Sequence, residues 1–172
     1  MNKRLFLMAA FSSLFLMGCA ASKVSSMPVS GVPTHPINAI AIAPDSGILA
    51  EAVAVDLSNR GYTVIDSSTT SKMMVRLNLS EIEVSKPVGL TKLKDQGIDA
   101  LLYVKAVGAN DGRPISASAR VISTYSGKVI SGVTWQNGWG GKAGSIADRS
   151  MRKGLSEAAA EITDALVKGL PR

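Results

Sequence analysis

The order in which apolar and polar residues alternate, cluster and change phase along this chain predicts its elements. Asn38 to Pro44 (NAIAIAP) is apolar on both alternating sides, with Ile40 and Ile42 on one and Ala39, Ala41 and Ala43 on the other. That pattern predicts a strand covered on both faces. Asp45 or Ser46 can cap a helix running to about Arg60, with Leu49, Ala52, Val53 and Leu57 on its buried stripe and Gly61 at its stop. Tyr62 to Asp66 (YTVID) reads as a second strand, and the intervening helix is long enough for a crossover between parallel neighbours.

Val75, Leu77 and Leu79 alternate with Arg76, Asn78 and Ser80 before the apolar phase slips to Ile82 and Val84. A strand with a bulge near Ser80 and Glu81 accounts for the slip. Pro87 opens a short helix ending near Gly97, and Asp99 to Val107 (DALLYVKAV) forms a long strand. Ile115 to Thr124 and Lys128 to Gln136 alternate around Tyr125, Ser126 and Gly127, as a hairpin does. Ser145 caps a final helix with Met151, Leu155, Ala158, Ile162 and Leu166 on its stripe. The expected fold is α/β, a single mixed β-sheet packed by helices in the order β-α-β-β-α-β-β-β-α, with residues 38–172 as one domain.

The one long apolar run lies at the start. Lys3 and Arg4 precede an apolar stretch from Leu5 to Met17, followed by Gly18 and Cys19. Residues 1–18 thus have the length and order of a secretory leader rather than of a membrane span. Leu16, Met17, Gly18 and Cys19 resemble the lipobox of bacterial lipoproteins, in which the cysteine is lipidated and becomes the mature N-terminus. Each buried CH₂ contributes about 0.8 kcal/mol, so two or three acyl chains hold a protein on a bilayer. An ordinary signal peptide with a stray cysteine is the plain alternative, but Cys19 is the only cysteine of the chain and has no disulfide partner. Alanine rather than aspartate at position 20 implies, by resemblance to proteobacterial lipoproteins, the outer membrane. Residues 19–37, with prolines at 28, 33 and 36, read as the lipidated N-terminus and a flexible tether. The roughly seventeen residues after the cysteine reach about 55 Å at full extension and average about 20 to 25 Å as a coil. His35, in this tether, reads as a solvated linker histidine.

Composition narrows the chemistry. The chain has 172 residues, 46% hydrophobic and 19% charged, with a net charge of +6 that falls to +4 once Lys3 and Arg4 leave with the leader. That excess is too small to argue for nucleic-acid binding. One histidine and one cysteine fall short of the common zinc sites, of a disulfide and of a Ser/His or Cys/His couple. Neither an enzyme nor a cofactor is expected. Gln136 to Ser145 (QNGWGGKAGS) lies between a strand and a helix, but it lacks the glycine and lysine spacing of a phosphate loop. Glu81 and Glu83 share a strand face on this reading, which could pair two carboxylates, but a bulged and solvated strand offers them no site.

Three motifs follow one another: Gly61, Tyr62, Thr63, Val64, Ile65 and Asp66; then Gly97, Ile98, Asp99 and Ala100; then Ser126, Gly127, Lys128 and Val129. With the AIAP strand before its helix, they resemble the periplasmic lipoprotein superfamily containing CsgG, LpoB, PelC and the N-terminal domain of TolB, over residues 38–168. The resemblance implies binding and assembly, with no active site to transfer. It implies self-association as a homo-oligomer and partners among envelope export or cell-wall synthesis proteins, with the outer membrane reached through the lipid anchor. Members that cross the membrane need added pairs of strands of about 9 to 11 residues, and this chain has no spare pairs. Members that activate an inner-membrane peptidoglycan synthase carry long disordered tethers. A short tether and a compact body best match the ring-forming members that serve polysaccharide export.

Candidate contact residues cluster after the hairpin. Trp135 ends a strand on the same alternating side as Val129 and Val133, and Trp139 sits among Gly138, Gly140 and Gly141. Tryptophan at a loop rim suits a membrane interface or a partner pocket. Lys142, Arg149, Arg152 and Lys153 follow, with Arg149 and Lys153 four apart on one helix face. Together these six residues form the expected partner or membrane contact, with a solvated basic face as the plainer reading.

Overall fold

The strand AIAI lies in the sheet as its two-sided apolar pattern requires. In this computed structural model, which describes residues 22–27, 35–109, 111–138, 142 and 144–171, Ile40 and Ile42 face one core and Ala41 and Ala43 the other. The leader, Cys19 and Trp139 lie outside the described residues.

Six strands form one sheet: β1 (Lys23–Ser26), β2 (Ala39–Ile42), β3 (Thr63–Ile65), β4 (Ala100–Gly108), β5 (Pro114–Ser123) and β6 (Val129–Gln136). Their order across the sheet is β1-β6-β5-β4-β2-β3. β2 runs parallel to β3 and β4, and the other pairs are antiparallel, so the sheet is mixed as expected. One face carries the larger core, where α1 (Gly47–Asn59) and the C-terminal helix α6 (Leu155–Val167) pack. Arg60 joins these two helices, pairing with Asp56 at 3.0 Å and with Asp164 at 2.7 Å. The opposite face carries a smaller core around Ala41, Leu101, Met74, Val84, Leu93 and Ile98. It is built by α2 (Ser67–Arg76), α3 (Glu81–Val84) and α4 (Pro87–Asp95), which cover only the β3, β2 and early β4 end.

Three sequence expectations are corrected. The segment from Val75 to Val84 is not a strand. The Asp66 side chain accepts from the Thr69 amide at 2.8 Å and starts α2; Asn78, at φ 51, then turns the chain, and a Ser80–Glu83 capping box starts α3. Glu81 and Glu83 therefore lie on a helical turn, with Glu83 committed to its cap. The final helix is two, α5 (Ile146–Met151) and α6, because the Asn137 side chain takes both the amide and the carbonyl of Lys153 and draws that residue out of helical geometry. Met151, expected on the buried stripe, is 44% exposed. Part of the expected tether is a strand: Lys23–Ser26 pair with Gln136–Val133 along the free edge of β6.

Met27 extends that pairing, its amide donating to Gly132 at 2.8 Å. The Met27 side chain lies over Gly132, its sulfur 2.6 Å from where a Cβ would stand, so a larger residue there would displace it. His35 is not free either, since its ring stacks on Tyr125 with centroids 4.4 Å apart.

Candidate functional site

β1 and β6 are antiparallel, so the start of β1 lies at the end of β6, beside the glycine-rich loop and α5. At this corner Glu161 of α6 accepts hydrogen bonds from the Ser22 hydroxyl at 2.5 Å, from the Trp135 indole at 2.7 Å and from the Lys153 ammonium. The same ammonium donates to the Ser22 hydroxyl at 2.9 Å. Burial pushes the Glu161 carboxyl up, but these three donors, with the charge of Lys153, outweigh it and hold the group below its ordinary range. The cluster clamps the first described residue to the body of the domain. Ser22 is three residues after Cys19.

The clamp accounts for two of the six expected contact residues. Trp135 is 1% exposed, its ring in the larger core and its indole N–H on Glu161, so it is not a surface contact; its alternating side is the buried one. Lys153 is engaged with Glu161 and Ser22. Arg152 is withdrawn as well. It pairs in two-point fashion with Asp148, which is fully buried, at 2.6 and 3.1 Å. Asp148 also accepts the Gly144 amide at 2.8 Å, while the Ser145 hydroxyl accepts the Asp148 amide. Asp148 and Arg152 thus hold the end of the loop against α5.

Arg149 and Lys142 remain exposed on this corner. Beside them α5 turns Ile146 outward at 84% exposure, with Met151 also exposed. The guanidinium of Arg113, from the turn between β4 and β5, donates to the carbonyls of Arg149 and Arg152, the latter at 2.9 Å. The corner is therefore a braced platform of exposed apolar side chains and cations, next to the point where the chain leads to Cys19. Sequence reasoning missed Glu161, Ser22, Asp148, Ile146 and Arg113. The Ser145, Asp148, Arg152 spacing of a capped turn with an i,i+4 ion pair was the available signal for one of them.

Among the described residues no group of three or more His, Cys, Asp or Glu could hold a metal, and no helix is long and apolar enough to cross a membrane. No family model matches the chain, and no curated protein does. Solved structures do. The PelC dodecamer from Paraburkholderia phytofirmans is 17% identical, covering 88% of this chain and 99% of that one with a TM-score of 0.49. The LpoB C-terminal domain from Salmonella enterica is 16% identical, covering 60% and 86% with a TM-score of 0.43. A lipoprotein from Neisseria meningitidis is 20% identical, covering 74% and 98% with a TM-score of 0.45. The chain is similar in fold to the PelC and LpoB lipoproteins.

Proposed function

We propose that the protein is a non-enzymatic outer-membrane lipoprotein, anchored through lipid on Cys19 at the periplasmic face, that acts as a self-associating assembly or gating component of an envelope export system. The observation that carries this reading is the clamp at Ser22. Three residue steps from Cys19 to Ser22 extend at most about 11 Å, so acyl chains on that cysteine hold the folded domain against the bilayer instead of letting it range over some 55 Å. The corner that meets the membrane then carries Ile146, Met151, Lys142 and Arg149, the mix of apolar and cationic groups that suits an anionic lipid surface. Trp139, outside the described residues, belongs to the same loop in sequence.

The alternative, an activator or binding module of a peptidoglycan synthase, requires reach toward a partner in the inner membrane. A lead of three residues supplies little of it. Two measurements test the proposal. Mass spectrometry of the mature N-terminus is expected to find a lipidated Cys19, and Cys19→Ala is expected to leave the membrane fraction; an unmodified thiol overturns the anchoring. Light scattering on the detergent-solubilised mature chain is expected to give a closed oligomer, whereas a monomer favours the activator.

A further inference from the structure

Among the described residues, the helical layer of α2, α3 and α4 leaves the other end of its sheet face uncovered, and the register there sets three rows of side chains across four strands. One row runs Lys105, Ser118, Thr134 and Ser25. A flanking row runs Val107, Ser116, Gln136 and Lys23, and the row on the other side pairs Tyr103 with Arg120. Lys105, Ser118, Thr134 and Ser25 are all exposed, as are Lys23 and Arg120. Two shallow depressions, of about 480 Å³ and 310 Å³, lie along these rows and share Lys105, Ser118 and Thr134. At the usual spacing of about 4.8 Å between strands the surface spans about 14 Å from β4 to β1.

We infer that this uncovered sheet face, with Lys23, Lys105 and Arg120 set around a row of hydroxyls, is a binding site for a linear anionic polysaccharide. The rows themselves carry only positive charge, while Glu81 of α3 acts on the Tyr103 hydroxyl at their border. No carboxylate stands in the three rows, and none of the three cations forms an ion pair among the described residues. Lys105 makes only a long 3.4 Å contact with the Asp45 carbonyl, and Arg120 lies over the Tyr103 ring at 5.0 Å.

The lining also selects among anions. A protein interface concentrates its energy in apolar and aromatic anchors at a dry centre, and the centre of this surface is Ser118 and Thr134. A flat bilayer does not enter a depression. A polyhydroxylated chain fits both features, because serine and threonine hydroxyls donate and accept as sugar hydroxyls do. The backbone groups of the sheet are spent on its ladders, so recognition falls to these side chains. The three separated cations suit carboxylates repeated along a polymer, which bind one after another at high effective concentration. The site goes beyond the export reading and does not depend on it.

Calorimetric titration of the detergent-solubilised mature chain with galacturonic acid oligomers tests the inference. Saturable binding is expected, weakening as salt rises. Lys105→Glu and Arg120→Glu are each expected to weaken it by at least about tenfold, and Ser118→Trp, which fills the depression, to remove it. Lys72→Glu on α2 is expected to change nothing. All four positions are solvent-accessible, so an unchanged thermal melt separates lost binding from lost folding. Absent binding, or binding indifferent to Lys105→Glu, Arg120→Glu and Ser118→Trp, overturns the site. Equal affinity for polyglutamate overturns it in favour of an acidic protein partner, and equal affinity for neutral dextran overturns the role of the cations. None of these results touches the lipid on Cys19 or the oligomeric state, so the export reading stands or falls separately.

Discussion

A single carboxylate, Glu161, gathers donors from three distant parts of the chain, and its protonation controls how firmly the N-terminal strand is held. Its folded-state affinity for protons is below that of a free glutamate, so its contribution is present above the ordinary glutamate range and is lost as pH falls through the lowered value. Hydrogen exchange is expected to show β1 amides opening faster as the solution is acidified below the ordinary glutamate range, and Glu161→Gln is expected to remove most of that pH dependence. Arg152 behaves differently from an exposed cation. Removing it takes the cation from the buried Asp148 carboxylate, so Arg152→Ala is expected to cost about 3 kcal/mol in denaturant unfolding, whereas Arg149→Ala changes stability by less than about 0.5 kcal/mol. Both arginines look alike in the sequence; only the buried acid four residues earlier distinguishes them. The motif aspartates prove structural too: Asp66 caps α2, and Asp99 accepts the amides of Asn38 and Ala39 at 2.9 Å each and the Tyr125 hydroxyl at 3.1 Å. Hydrogen bonding to Asp99 and its charge raise the proton affinity of the Tyr125 phenol.

Helices α3 and α4 cross so tightly that a side chain on Gly89 has nowhere to go. A Cβ there would lie 2.2 Å from the Glu83 carbonyl oxygen and 2.7 Å from the Val84 Cα, both backbone atoms that cannot swing aside. Gly89→Ala is expected to destabilise the protein by about 2 to 3 kcal/mol in chemical denaturation and to expose the smaller core, despite alanine's better helix propensity. This region was the least legible from the residues. Val75, Leu77 and Leu79 give only three beats of a strand period, and Val75 is in fact exposed, whereas the local caps at Asp66 and Ser80 decide the outcome. The long periodic segments were read correctly: β2, β4, β5, β6 and α1 follow their patterns to within a few residues. β1 escaped because KVSS has no apolar period; its stability comes from the β6 edge and from Glu161, neither visible in four residues.

At the scale of the whole molecule, one sheet separates two environments. Among the described residues, α1 and α6 seal one face, while the other is half covered by helices and half open to solvent. Ser22, three positions after Cys19, is held at the sheet edge, so under the proposed anchoring the distance from the bilayer is set by very few residues. Inserting about eight flexible residues between Ala21 and Ser22 raises the average reach from about 10 Å to about 18 Å. Neutron reflectometry on supported bilayers is expected to show the domain standing off by a comparable amount; an unchanged height would assign the hold to the surface around Ile146 and Arg149 instead.

The pairing of β1 with β6 also sets an order of events. The hydroxyl of Ser22 and the carboxylate it reaches are 139 positions apart, and β1 meets its strand partner more than a hundred residues downstream. The earliest stretch of the mature chain to be synthesised must therefore wait for almost the last before it is fixed in place, and such distant contacts form slowly. Under the proposed anchoring, lipidation of Cys19 precedes this docking, and the orientation of the finished body on its membrane is decided only when folding ends.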